Sequence, residues 1–408
     1  MKHDTNQRLY VYDEIKSTFI DCFNNNTALS ESSCEIIENG YVLPLKKELN
    51  QDGIGYFSGG VTNSEGVFLK ASSYIRESLI GSLIDGYDID KKIAKFIDNE
   101  VMFAGMISKH FGQFLLESTH RLWYWIENEQ LNLDLVFLKQ KRQNILPQFW
   151  ELIDLMGIPR NKIHIVEQIT CFKKIHIPSV SNNLTNWYSD KILLPFQYVA
   201  RKVKGGGTDK IYLSRTKFKA KTSCFGEENI EKVFAQNGYK IIYPEMLSLR
   251  EQISYIKDAK EIAGVIGTAM HMELFALNPI KSIVLYRSDD PVSVQDLIHH
   301  ALKADWYNIS VNMNPFPISH GVGPILLGIT EKFASFCDDF NFVYDKKKIN
   351  YISNSNCRKF MKRYMEYYVQ DSYNRILSIK NPYLAKRIKP FEKAYIPFKK
   401  RIKQFFKN

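Results

Sequence analysis

The chain has 408 residues, 45% of them hydrophobic, 24% charged and 13% aromatic, with a formal net charge of +11. That length exceeds what a single hydrophobic core usually supports and predicts two domains, in a composition ordinary for a soluble globular protein with no low-complexity tract. Nine basic residues and the single acid Glu392 between Lys386 and Asn408 place +8 of the charge in a short tail, so a nucleic-acid-binding body is not supported and a basic tail is.

The six cysteines show no CxxC or CxH spacing, which predicts neither a zinc site nor a disulfide framework and suits a reduced, cytosolic setting. The first residues lack the apolar core of a signal peptide, and no run approaches the roughly 18 apolar residues that span a bilayer. Residues 11–108 read as β-rich, with short alternating runs separated by Gly59-Gly60 and Asn63-Ser64. Asp88-Ile89-Asp90 has the form of a metal-binding Asp-x-Asp, but it precedes a lysine-rich stretch instead of following a buried strand, and no metal site is assigned to it.

Residues 110–123 have helical periodicity with a polar stripe: Gln113, Glu117, His120 and Arg121 recur at three- and four-residue intervals opposite Phe114, Leu115, Leu122 and Trp125. A solvated face with a Glu117–Arg121 ion pair is the simplest reading. Strands at 133–138, 162–166 and 173–177 then alternate with a helix at 145–156, the mark of a Rossmann-like layer. Residues 179–203 read as a helical passage, and Lys204-Gly205-Gly206-Gly207-Thr208-Asp209 as a linker.

A second α/β unit starts at Lys210, with strands at 210–214, 240–243, 261–266 and 282–286 and helices at 227–237, 248–259 and from about 270. Ser248 and Glu251 predict a capping box. Ligands of such sheets sit beyond the carboxyl ends of the strands. There Arg215 offers a guanidinium, with Lys217 and Lys219 nearby, and Gly267-Thr268-Ala269 opens onto a helix N-terminus, so one phosphate group can be held between them. Further helices are expected at 292–303 and 356–378. The tail from 386 is predicted to be basic and amphipathic, with Phe398, Ile402, Phe405 and Phe406 on one side.

Ile211-Tyr212-Leu213-Ser214-Arg215, then Tyr243-Pro244-Glu245 with Leu247-Ser248 and Gln252, then Gly267-Thr268-Ala269-Met270-His271 before Leu274-Phe275-Ala276, resemble the nucleotide-binding half of glycosyltransferase family 61. The stretch from His110 to Trp123 is similar to that family's Asn-Phe-Gly-His-Phe-Leu-x-Glu motif, with His110 in place of the Asn and Gln113 in place of the His; the histidine of the second motif stands later, at His271. The resemblance implies an α/β GT-B fold, two Rossmann-like domains facing a cleft, with C-terminal helices and a basic amphipathic tail. The expected divisions are an N-terminal acceptor-side domain over 1–203, a nucleotide-sugar-binding domain over 204–345, and helices and tail over 346–408.

It also implies inverting, metal-independent transfer of a sugar from a nucleotide-sugar, UDP-linked by preference, to a glycan or lipid-linked saccharide in surface polysaccharide synthesis, with no cofactor. Glu117 is the expected general base and His110 the alternative. Ser214, Arg215, Lys219, Gly267, Thr268, Ala269, Met270 and His271 are the expected donor-binding residues, and Gln113, His120 and Arg121 lie on the acceptor side. Residues 386–408 are expected to hold the protein peripherally on the anionic inner face of the cytoplasmic membrane. A CMP-linked or other donor, or a silent nucleotide- or carbohydrate-binding protein, are the competing readings.

Overall fold

The computed structural model describes residues 9–11, 32–76, 79–184, 187–218, 223–288, 293–316 and 323–377. It is a mixed α/β structure built on two large sheets. The first has seven strands in the order Leu83–Asp85, Gly55–Thr62, Cys34–Leu49, Thr170–Pro178, Lys95–Met106, Asp134–Leu138 and Ile163–Val166. Its Cys34–Leu49 strand pairs antiparallel on both sides; the last four strands run parallel. The β-rich start and the α/β layer expected after it therefore form one sheet.

The second sheet has six strands, all parallel: Leu9–Val11, Asp305–Ser310, Lys281–Tyr286, Glu261–Val265, Lys210–Leu213 and Lys240–Ile242. Its interior strands are buried on both faces, as parallel strands covered by helices must be. Counted from Lys210, the order is 2-1-3-4-5, so the chain reverses direction across the sheet between the strands ending at Leu213 and Val265. That reversal opens a crevice beyond their carboxyl ends. The Asp305–Ser310 strand is not apparent in the sequence reading, and Leu9–Val11 crosses from the N-terminal segment to complete this sheet.

Helices Phe111–Glu117, Pro147–Met156, Leu194–Lys202 and Leu249–Ile256 share one apolar core with both sheets, through residues such as Leu115, Phe149, Phe196 and Ile253. The halves are thus joined by a packed helical layer. The segment read as a linker lies along that layer: the amide of Gly206 donates to the carbonyl of Ser254, and a Cβ at Gly206 would meet that oxygen at 3.1 Å. The capping box of Ser248 and Glu251 forms as expected. In place of a long helical passage over 179–203, a two-stranded pairing of Asn182–Asn183 with Trp187–Tyr188 precedes Leu194–Lys202.

Two corrections bear on the site. The helix expected over 110–123 is two short helices, Phe111–Glu117 and Leu122–Glu127, separated by a turn. The helix expected from Met270 is a six-residue 3-10 helix, Met270–Phe275, too short to supply the dipole expected after Gly267. Among the described residues no helix is long and apolar enough to cross a membrane. The basic tail and Lys219 lie outside the described residues.

Candidate functional site

A cleft of about 600 Å³ opens at the carboxyl ends of the parallel strands Lys95–Met106 and Asp134–Leu138, roofed by the pairing of Cys34–Leu49 with Gly55–Thr62. Its walls combine Leu45, Tyr56 and Ile80 with Arg76, His110, Gln113 and Glu117. Glu117, on the last turn of its helix, is only 4% exposed. It does not pair with Arg121. The Arg76 guanidinium grips it instead, Nε donating to Oε1 at 2.6 Å and Nη2 to Oε2 at 2.5 Å, and the Tyr74 hydroxyl donates to Oε1 at 3.1 Å. Burial pushes the Glu117 carboxyl above its ordinary range, opposed by Arg76.

The polar stripe does not stay on one face once the helix breaks. Gln113 remains in the cleft, accepting from the Ser108 hydroxyl at 3.1 Å. His110 sits exposed at the rim, its ring without a hydrogen bond among the described residues. His120 and Arg121 turn inward and do not line the cleft. His120 packs against the Tyr74 ring at 5.0 Å, and its burial holds its pKa well below the usual histidine value. Arg121, 1% exposed, donates to the carbonyls of Pro178 and Ser73; burial brings its pKa down to about 9. Both side chains lie behind the cleft, between the Pro178 strand end and the turn at Ser73, and not in its lining as expected on the acceptor side.

The second cluster lies at the crevice of the parallel sheet. Ser214 is buried and gives its hydroxyl to Glu231 at 2.6 Å. The Arg215 amide donates to Glu227 Oε1 at 2.8 Å, and its guanidinium lies against Gly267, where a Cβ would stand 3.1 Å from Nη1. Gly267 has φ +154°, a conformation that side chains rarely adopt. Thr268 is exposed and Ala269 half-buried beside it, whereas Met270 is fully buried, with its sulfur against Gly264, and belongs to the core.

His271 is tied into a buried chain. Glu273 accepts from the Ser282 hydroxyl at 2.6 Å and from Gln295 Nε2 at 2.6 Å, and meets His299 Nε2 at 2.9 Å. A carboxylate only accepts, so the amide nitrogen of Gln295 must face Glu273 and its oxygen must face His271 Nδ1, 3.0 Å away. Nδ1 therefore carries the proton, and Nε2 is left as a lone-pair acceptor. Burial pushes the His271 pKa down to about 4, which keeps the ring neutral near pH 7. It can accept from a hydroxyl but cannot clamp an anion.

Gly112, beside the cleft residue Gln113, lies against the turn at the crevice. A Cβ on Gly112 would stand 2.7 Å from Thr268 Cγ2 and 2.9 Å from His271 Cδ2, so only glycine lets the Phe111–Glu117 helix close on the Gly267–His271 turn. Residues 106–284, the segment holding both sides of this contact, match the model of the family described as Glycosyltransferase 61. This segment is a glycosyltransferase family 61 domain. The match supports a glycosyltransferase activity with a donor and an acceptor substrate. No protein of curated function matches the chain.

Several residues of the family 61 domain and its surroundings escaped the sequence reading. Gly112 stands inside the first motif, but nothing local marks it as a contact point. Arg76 and Tyr74 lie in an irregular segment with no periodic signal. Arg287, directly after the buried strand Lys281–Tyr286, repeats the placement of Arg215 after Lys210–Leu213 and could have been found by that parallel. Among the described residues no cluster of His, Cys, Asp and Glu has the arrangement of a metal site.

Proposed function

We propose that the protein is an inverting GT-B glycosyltransferase that moves a sugar from a nucleotide-sugar, UDP-linked by preference, to a hydroxyl of a glycan or lipid-linked saccharide in surface polysaccharide synthesis, without a metal. The Gly112 contact carries this reading: it joins a cleft sized for a saccharide to a crevice suited to a nucleotide. The donor lies over Gly267, Thr268 and Ala269 with its phosphates toward Arg215. The acceptor lies in the cleft beside Gln113, His110 and Glu117.

In an inverting displacement the acceptor hydroxyl attacks the anomeric carbon from the face opposite the leaving phosphate, and its proton must pass to a base. Glu117 is our choice. Arg76 and Tyr74 fix its orientation, and burial raises its basicity. His110 at the rim is the alternative. As the bond to the phosphate breaks, negative charge grows on the leaving group, and the Arg215 guanidinium is worth more there than in the ground state.

A thermal-shift screen over UDP-, GDP- and CMP-sugars, followed by assay of donor hydrolysis without acceptor, tests the reading. Stabilisation by one nucleotide-sugar with slow hydrolysis of it is expected; stabilisation without any turnover, with or without saccharide acceptors, favours a silent binder. We further propose that residues 386–408 attach the protein to the inner face of the cytoplasmic membrane, on the strength of their net +8 charge and aromatic residues. Flotation with anionic liposomes should require these residues, and equal binding by a truncated chain refutes the attachment.

A further inference from the structure

Three neighbouring parallel strands, Lys210–Leu213, Glu261–Val265 and Lys281–Tyr286, end side by side. Each is followed within two residues by a group suited to an anion: Arg215, Gly267 and Arg287. Among the described residues, Arg287 Nη1 and Arg215 Nε are both buried without a hydrogen-bond partner. Neither arginine forms an ion pair among the described residues. Each feels the other's positive charge, and burial with that repulsion holds Arg287 below the usual arginine pKa.

The acid between them does not balance the pair. Glu227 is fully buried, its Oε1 taken by the Tyr212 hydroxyl and the Arg215 amide, its Oε2 without a partner among the described residues. Burial pushes its pKa up to about 7, so near neutrality about half of it is uncharged. Glu231 is engaged by Ser214, Thr216 and Tyr243. Among the described residues the two guanidinium groups therefore meet the Cys224 thiol, whose pKa burial pushes up, and one partly ionised carboxylate in a half-buried crevice. Buried charges persist when something pairs them, and the missing partner is an anion.

We propose that Arg287 is a second anion-binding residue of the donor crevice, and that the Arg215–Arg287 pair flanking Gly267 selects a nucleoside diphosphate sugar over a nucleoside monophosphate sugar. The inference rests on the donor reading above and assigns residues to its preference for a diphosphate-linked sugar. Linked phosphates offer each guanidinium its own pair of oxygens, the bidentate arrangement arginine favours, whereas a single phosphate must be shared. Arg287 lies beyond the residues matched by the family model.

The test is calorimetry on the full chain with UDP and GDP, each against its monophosphate, and with inorganic pyrophosphate against phosphate. Wild type is expected to prefer the diphosphate at least about tenfold, a difference of ~1.4 kcal/mol. Arg287→Ala should lose about tenfold in diphosphate affinity, with the monophosphate changed less than about threefold. Arg287→Lys, which keeps the charge and loses the fork, should fall between them and serves if the alanine variant does not fold. If a folded Arg287→Ala binds the diphosphate as wild type does, this inference falls and the donor reading stands. If wild type binds no nucleotide or nucleotide-sugar, the donor reading falls and takes this one with it.

Discussion

Glu227 illustrates how a single buried acid shapes the site. Its folded pKa of about 7 stands above the ordinary 4.5, so the folded state binds more protons than the unfolded state between those values. Stability from this group is therefore full below pH 4.5 and is lost as pH rises toward 7, by about 3 kcal/mol in all. Denaturant unfolding from pH 5 to 8 should show wild type losing stability relative to Glu227→Gln and the difference levelling off above pH 7; parallel profiles would show that burial does not raise this pKa. An anion on Arg215 and Arg287 repels the Glu227 carboxylate and favours its protonated form. None of this is legible in the sequence, where Glu227 is only an acid in the first turn of a helix. Arg215 is legible, because a charged residue directly after an apolar strand has few places to go but the strand end.

At the scale of elements, the sequence shows the regular pieces well and their interruptions poorly. The capping box at Ser248 was readable because both of its partners are local. The break between Phe111–Glu117 and Leu122–Glu127 was not, because it is driven by tertiary contacts: Arg121 reaches the Pro178 and Ser73 carbonyls, and His120 packs on Tyr74. Helical periodicity alone continues through the break and places Glu117 beside Arg121. The Asp305–Ser310 strand is hidden for a different reason: its polar residues Asp305, Asn308 and Ser310 interrupt the apolar run that marks its partner Lys281–Tyr286. The seam between the Phe111–Glu117 helix and the Gly267–His271 turn yields its own test. Gly112→Ala must push the helix off Thr268 and His271, costing about 1–3 kcal/mol. A lower melting temperature and reduced turnover are expected, with part of each recovered by adding Thr268→Ser; wild-type values for Gly112→Ala would mean the two elements do not close on each other.

Across the whole molecule, two sheets share one helical core, and their strand ends place the cleft and the crevice next to each other. Leu9–Val11 pairs with Trp306, Tyr307 and Asn308, tying the start of the chain to the far edge of the second sheet. A packed layer of this kind makes Gly112 a fixed junction between the cleft and the crevice. The alternation of strands and helices was readable because parallel strands are apolar throughout and their helices carry a clear period. The crossing of the N-terminal strand was not, since three residues carry no signal of their partner. The most direct measurement compares wild type, Arg215→Ala and Glu117→Gln with the nucleotide-sugar that most stabilises the protein. If the two sides form one catalytic centre, Arg215→Ala should weaken donor binding at least about tenfold and lose turnover with it. Glu117→Gln should keep donor affinity within about threefold while kcat falls by roughly a hundredfold or more. Wild-type turnover in either folded variant would contradict the assignment.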